Sequence, residues 1–229
     1  MKLDKIQLSR LVVQVVYLGL ILAGLFMKIR PLLGIVFIGT FLLGNFFCGW
    51  LCPFGSIQDF FAKIGNLFIK KKYKMPKALQ KYLQFSRYII MIGLLIAFGK
   101  ERINNPFDSY HAFFSFIGGR NVTTLALIIM ISFIIIAMFF ERPFCNYFCT
   151  EGVRYGLASF TRLFTIKRDK ESCIDCKKCD KVCPMNIEVS KKNHVRNAQC
   201  INCFNCISSC PKKGTLKYTF FKDLKNKSN

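Results

Sequence analysis

Four stretches of this chain are nearly free of charge, and polar residues crowd between them. Leu11 to Met27 is apolar except for Gln14. Leu32 to Phe47 follows after Lys28, Ile29 and Arg30, with Pro31 placed to start a second helix. Tyr88 to Gly99 is the third stretch, extendable back to Tyr82 if Arg87 snorkels toward headgroups. Thr123 to Phe140 is the fourth and the most continuous. Each lies near the lower end of the roughly 17–25 residues that cross a bilayer as a helix. Between the second and third, Ile57, Phe60, Phe61, Ile64, Leu67 and Phe68 recur at helical spacing, with Gln58, Asp59, Lys63 and Asn66 between them. That rhythm predicts an amphipathic helix over Phe54 to Ile69, lying at a membrane surface with a solvated basic end. From Phe164 onward the chain turns polar, and beyond Tyr218 residues rich in Lys and Asn predict a frayed end. The expected fold is an α-helical membrane protein. Residues 1–164 form a four-helix transmembrane bundle, 165–218 a small C-terminal α+β domain, and 219–229 a basic tail.

Charge orients this bundle. The formal net charge is +22, and 29 of the 34 Lys and Arg lie before or at Arg10, between Lys63 and Arg87, or from Arg142 onward. The positive-inside bias therefore places both termini in the cytoplasm, in a multi-pass protein of the plasma (inner) membrane with lipid as its first partner. An even number of spans agrees with that. Twelve cysteines in a chain that is 52% hydrophobic, with no recognisable signal cleavage site, fit a reducing compartment better than a disulfide scaffold. Trp50, the single tryptophan, suits an interfacial anchor. Nucleic acid is a poor target for the charge, since aromatic interleaving and a binding motif are both missing.

The cysteines carry the chemistry. Cys173, Cys176, Cys179 and Cys183 follow the spacing C-x2-C-x2-C-x3-C with Pro184 behind; Cys200, Cys203, Cys206 and Cys210 repeat it with Pro211 behind. This is the run that holds cubane iron–sulfur clusters, the fourth cysteine of each run ligating the other cluster. The expected ligand sets for two [4Fe-4S] clusters are Cys173, Cys176, Cys179 and Cys210, and Cys200, Cys203, Cys206 and Cys183. A zinc reading would leave the third cysteine of each run unexplained. The C-terminal domain is thus a two-cluster ferredoxin, and the clusters supply the staples its small core lacks.

Four cysteines remain, in matching places. Cys48 and Cys52 follow the second apolar stretch in Phe46-Phe47-Cys48-Gly49-Trp50-Leu51-Cys52-Pro53-Phe54-Gly55. Cys145 and Cys149 follow the fourth in Pro143-Phe144-Cys145-Asn146-Tyr147-Phe148-Cys149-Thr150-Glu151-Gly152. The three-residue gap and the glycine three after the second cysteine match, so the bundle reads as two parallel two-helix repeats. Converging, these four thiols would make a further redox metal site at the membrane surface, most simply another iron–sulfur cluster. Packing thiols near helix ends, two disulfides, another metal or a reactive dithiol are the alternatives.

Together these motifs resemble the NapH-type membrane ferredoxins, a family that includes the membrane subunit of a quinol dehydrogenase; related modules occur in the nitrous-oxide reductase regulator and a cytochrome-oxidase accessory ferredoxin. The resemblance runs from about Leu11 to Tyr218 and is sharpest at Cys48-Gly49-Trp50-Leu51-Cys52-Pro53; Thr150 departs from it where the second copy would carry proline. It implies electron relay between a quinol, or a cytoplasmic ferredoxin or flavodoxin, and a partner redox subunit. Lys177, Lys178, Lys181, Lys212 and Lys213 beside the runs would steer an acidic carrier and raise cluster potentials. No dinucleotide fingerprint or covalent-haem motif is present, so substrate chemistry is expected on another subunit. A redox sensor or an accessory factor for metalloenzyme assembly is the alternative. His111, among the aromatics of the loop Lys100 to Val122, is the candidate quinone-site residue, and His194 reads as a solvated loop residue.

Overall fold

A computed structural model describes residues 4–23, 26–68, 73–98, 113, 116 and 124–220. The Asp4 side chain accepts a hydrogen bond from the Lys5 amide at 2.9 Å, so α1 (Lys5–Leu22) starts well before the apolar run. The second helix, α2 (Phe26–Leu43), begins ahead of Pro31 rather than at it. A π-helical turn (Phe47–Leu51) carries the first C-x3-C motif into α3 (Pro53–Phe68), and α4 (Lys77–Phe98) follows. Next comes α5 (Thr124–Ala137), which stops short of Phe140. There the chain turns across α3, so close that a Cβ on Gly65 would lie 2.0 Å from the Met138 carbonyl oxygen. Two short helices, α6 (Pro143–Tyr147) and α7 (Thr150–Ala158), hold the second motif.

The C-terminal domain is closed by two antiparallel strands, β1 (Phe164–Arg168) and β2 (Leu216–Phe220), in the register Phe164↔Phe220, Ile166↔Tyr218 and Arg168↔Leu216. Between them lie the short helices α8 (Lys178–Lys181) and α9 (Asn205–Ser208). Thr219 and Phe220 therefore belong to the sheet, not to a frayed tail, because they pair with Thr165 and Phe164.

Among the described residues only α1 is by itself long and apolar enough to cross a membrane; Gly34–Leu43 and Thr124–Ala137 are shorter apolar stretches. The helices are nonetheless inverted relative to a water-soluble bundle. Polar Arg10, Gln14, Thr40, Gln58 and Arg87 are buried, while Val15, Ile38, Ile89 and Ile128 are exposed. The amphipathic helix α3 corrects the sequence expectation most sharply. Its polar residue Gln58 is fully buried, whereas Phe60, Leu67 and Phe68 face outward. Arg87 is likewise 1% exposed and does not snorkel.

One carboxylate gathers buried Arg10, Gln14 and Arg142. Asp59 on α3 accepts two hydrogen bonds from Arg142, Nε to Oδ1 at 2.7 Å and Nη2 to Oδ2 at 2.6 Å, and a further ion pair from Arg10. Burial alone would raise its pKa; Arg142 and Arg10 outweigh burial and hold it at about 2. Arg142 also donates to the Cys48 carbonyl at 2.6 Å, and Arg10 to the Gly49 carbonyl at 2.8 Å. Breaking a buried pair of this kind costs about 3–5 kcal/mol, because the abandoned charge stays in low dielectric. Asp59→Leu is therefore expected to lose about that much stability in denaturant unfolding of the detergent-purified protein. A loss below about 1 kcal/mol would mean water reaches the guanidinium groups.

Candidate metal centres

Three cavities in this molecule are each lined by four cysteines, and together they account for all twelve. The first is lined by Cys173, Cys176, Cys179 and Cys210, with Arg168, Asp175, Lys177 and Lys212 around them. The second is lined by Cys200, Cys203, Cys206 and Cys183, with Met185, Ile187, Val195 and Ile201. The exchange of fourth cysteines places Cys210 with the first run and Cys183 with the second. The third contains Cys48, Cys52, Cys145 and Cys149, with Asn45, Arg87, Glu151, Met185 and Ile201. All twelve thiols are free.

Local backbone explains why the runs curl around a centre. In each, the residue before and the residue after the second cysteine take positive φ: Asp175 and Lys177 at 47° and 53°, Asn202 and Phe204 at 48° and 57°. Asp and Asn enter this region more readily than most side chains; Lys and Phe do not, so the conformation is held against strain. Alternation of right- and left-handed residues turns successive N–H groups inward, making the concave nest that binds anions and iron–sulfur centres.

The third cavity is built by the repeat. Cys52 immediately precedes α3 and Cys149 caps α7. Each sulfur accepts a hydrogen bond from the amide three residues on, Gly55 to Cys52 at 3.5 Å and Gly152 to Cys149 at 3.2 Å. Pro53 and Thr150 both occupy the first helical position, where proline's missing N–H is no loss, so threonine replaces it without changing the cap. Gln58 donates to Cys145 Sγ at 3.5 Å, and Asn45 Oδ1 accepts from the Cys48 amide at 3.1 Å. Burial pushes the Cys48 thiol up to about 12 and raises Cys52 and Cys145, opposed in part by Arg142. Thiol ligands bind metal as thiolates, so metal binding at these positions would release their protons.

Four thiols around each cavity are the ligand set of an iron–sulfur cluster. Residues the pattern did not flag complete the sites: Asn45, Gln58, Asp59, Arg10 and Arg142. Arg142 and Asp59 could be sought as opposite charges at the two copies of the repeat. Trp50 is not a lipid anchor through its indole; Nε1 donates to the Asn202 carbonyl at 2.9 Å and binds the second cluster loop. His194 is half-buried and bridges Lys167 of β1. His111 lies outside the described residues.

Gly49 is required where the repeat meets the C-terminal domain, since a Cβ there would lie 2.1 Å from the Ile201 carbonyl oxygen. Gly49→Ala is expected to loosen that seam, seen as faster proteolytic release of the C-terminal domain. Wild-type resistance in the variant would show that the seam can shift freely.

Cysteine quartets of this kind, two in a ferredoxin-like domain and one under paired helices, define an iron–sulfur electron-transfer protein that carries [4Fe-4S] clusters. A family model described as a 4Fe-4S binding domain matches residues 32–76 and 122–167, one copy on each half of the repeat, and a 4Fe-4S dicluster domain matches 165–211. The chain belongs to the NapH-type, NosR-related family of 4Fe-4S ferredoxins. It is 33% identical over 205 residues to YccM of Escherichia coli K12, a protein named for electron transport, covering 82% of this chain and 55% of that one. An uncharacterized protein of Methanocaldococcus jannaschii is 31% identical over 207 residues, covering 87% and 82%. The ferredoxin-type protein NapH of Haemophilus influenzae is 28% identical over 182 residues, covering 73% and 60%; the regulatory protein NosR and the protein NirI also match. The chain thus spans little more than half the length of YccM. No solved structure matches it.

Proposed function

We propose that this chain is a membrane-anchored wire of three [4Fe-4S] clusters, joining a cytoplasmic carrier to a redox partner in or across the membrane. One observation carries the reading: the twelve cysteines sort into three quartets arranged in series. In this reading Cys173, Cys176, Cys179 and Cys210 hold the outer cluster. Cys183, Cys200, Cys203 and Cys206 hold the middle one, and Cys48, Cys52, Cys145 and Cys149 the innermost. Met185 and Ile201 line both the middle and the innermost cavities, so one layer of side chains separates them. Cys48 packs against the cores of both.

The inverted polarity of the helices supports residues 1–164 as a four-helix membrane bundle. Outward Val, Ile and Phe need an apolar solvent, and inward Arg, Gln and Asp need the bundle interior. With the basic segments on one side, both termini face the cytoplasm, and residues 165–218 form the cytoplasmic ferredoxin domain.

The two ends of the wire differ in character. At the outer end Cys176 is exposed, Lys177 and Lys212 line its cavity, and Lys178, Lys181 and Lys213 are exposed nearby in sequence, which suits an acidic ferredoxin or flavodoxin. At the inner end an apolar groove between α4 and α5 is lined by Ile90, Gly93, Ile129, Phe133, Phe144 and Phe148. It reaches the residues flanking Cys145 and Cys149 and would admit a quinone from the bilayer. A second reading, redox sensing, is favoured by the kinship to NosR, which is named a regulatory protein.

Two measurements test the wire. Replacing Cys48 and Cys145 together by Ser should remove about one third of the iron and one EPR signal, leaving the ferredoxin-domain signals in place. Unchanged iron would remove the innermost cluster from the scheme. Reduction by an acidic carrier should slow severalfold as the screening length falls from about 30 Å at 0.01 M salt to about 8 Å at 0.15 M. A rate independent of salt would rule out electrostatic docking at the lysine collar, and a deletion that alters only gene expression would favour the sensor.

A further inference from the structure

Arg87 poses a problem in charge. Its side chain is 1% exposed, it lines the cavity of Cys48, Cys52, Cys145 and Cys149, and its Nε has no hydrogen-bond partner. Its recorded contacts are Nη2 to the Tyr88 hydroxyl at 3.2 Å and the Tyr88 ring, 5.1 Å from the guanidinium carbon. Among the described residues no carboxylate pairs with it. Glu151 lines the same cavity, but Arg154 binds its carboxylate at 2.8 Å. The other buried arginine nearby, Arg142, is different, because Asp59 neutralises it from the far side. A buried guanidinium left without an anion costs several kcal/mol, so its counter-charge must come from elsewhere in the same space.

We propose that Arg87 is the counter-cation of the innermost cluster and sets its reduction potential. This rests on the reading of the four C-x3-C cysteines as cluster ligands. Four thiolates around a [4Fe-4S] core leave a net negative charge, and reduction by one electron adds another. A fixed cation at the cavity wall stabilises the more negative, reduced state and so raises the potential. Arg87 stands on the side of the second motif: a Cβ on Gly152, whose amide donates to Cys149, would lie 3.8 Å from Arg87 Nη1. The two arginines are therefore balanced differently: Asp59 holds Arg142, whereas no carboxylate among the described residues pairs with Arg87, and its charge remains for the cluster.

The test is an EPR-monitored redox titration of the full chain, purified anaerobically in detergent, as wild type, Arg87→Gln and Arg87→Lys. The innermost signal is the one that disappears in the Cys48→Ser, Cys145→Ser variant. In Arg87→Gln that signal should move to lower potential while the two ferredoxin-domain signals stay in place, and Arg87→Lys should hold it near the wild-type value. Loss of the signal in Arg87→Gln but not in Arg87→Lys would also support the counter-charge. An unshifted potential in Arg87→Gln, or loss of the signal in both variants, would overturn it. If the wild type has no signal that depends on Cys48 and Cys145, the cluster reading itself fails, which is a distinct result, and Arg87 loses its role with it.

Discussion

One carboxylate ties this molecule together. Asp59 receives Arg142 on both oxygens and Arg10 on one of them. Through those two arginines it reaches the backbone of the first motif at Cys48 and Gly49, and Arg10 Nη1 donates on to Asn205 of the C-terminal domain at 3.3 Å. Asp59 lies in the first repeat and Arg142 at the start of the second motif. The pair therefore sets the two halves face to face, which a four-cysteine cavity shared between halves demands. Each half on its own supplies only two thiols.

A core organised by charge asks for an unusual exterior. Polar groups that would face water in a soluble bundle are needed at the seam between halves, so the apolar residues of the same helices are left outside. In the proposed membrane bundle lipid would satisfy that surface, and the positive-inside bias would keep the seam on the cytoplasmic side. The C-terminal domain then docks on the seam through backbone acceptors. Gln7 donates to the Cys203 carbonyl at 3.0 Å, Asn146 to the Pro184 carbonyl at 3.0 Å, and Lys74 to the Asp180 carbonyl at 2.7 Å. These contacts reach the loops beside the cysteines themselves, so the spacing between centres is set by hydrogen bonds at the cluster loops.

The cysteine sets were legible in the sequence because their spacing is local. Three thiols within seven residues must surround a common point, and the exchanged fourth follows from having two runs. The helices around α1, α2, α4 and α5 were legible as apolar runs, though caps and turns moved their ends: Asp4 extends α1 backward, and the turn at Met138 cuts α5 short. The direction of the polar residues was hidden. Periodicity shows that Gln58 and Asp59 share a stripe on α3 but not whether that stripe faces water or a partner arginine 83 positions away. The same ambiguity made Arg87 look like a residue reaching for headgroups and Trp50 like an anchor. Both are claimed by contacts that appear only once the halves and the C-terminal domain are assembled.

That assembly also decides how current would pass. In the outer cavity Cys176 is exposed to solvent, while the middle cavity is walled by Ile187, Val189 and Val195 of one apolar core that also packs Cys200, Cys203 and Cys206. Solvent contact and dielectric therefore fall from the outer end inward, and a negative cluster becomes harder to reduce as its surroundings become drier. A wire with that gradient alone would strand electrons at its wet end. Cations at the dry end counter the gradient. Arg142 and Arg10, only partly neutralised by a single Asp59, together with Arg87, give the innermost site a positive setting that burial by itself would deny it.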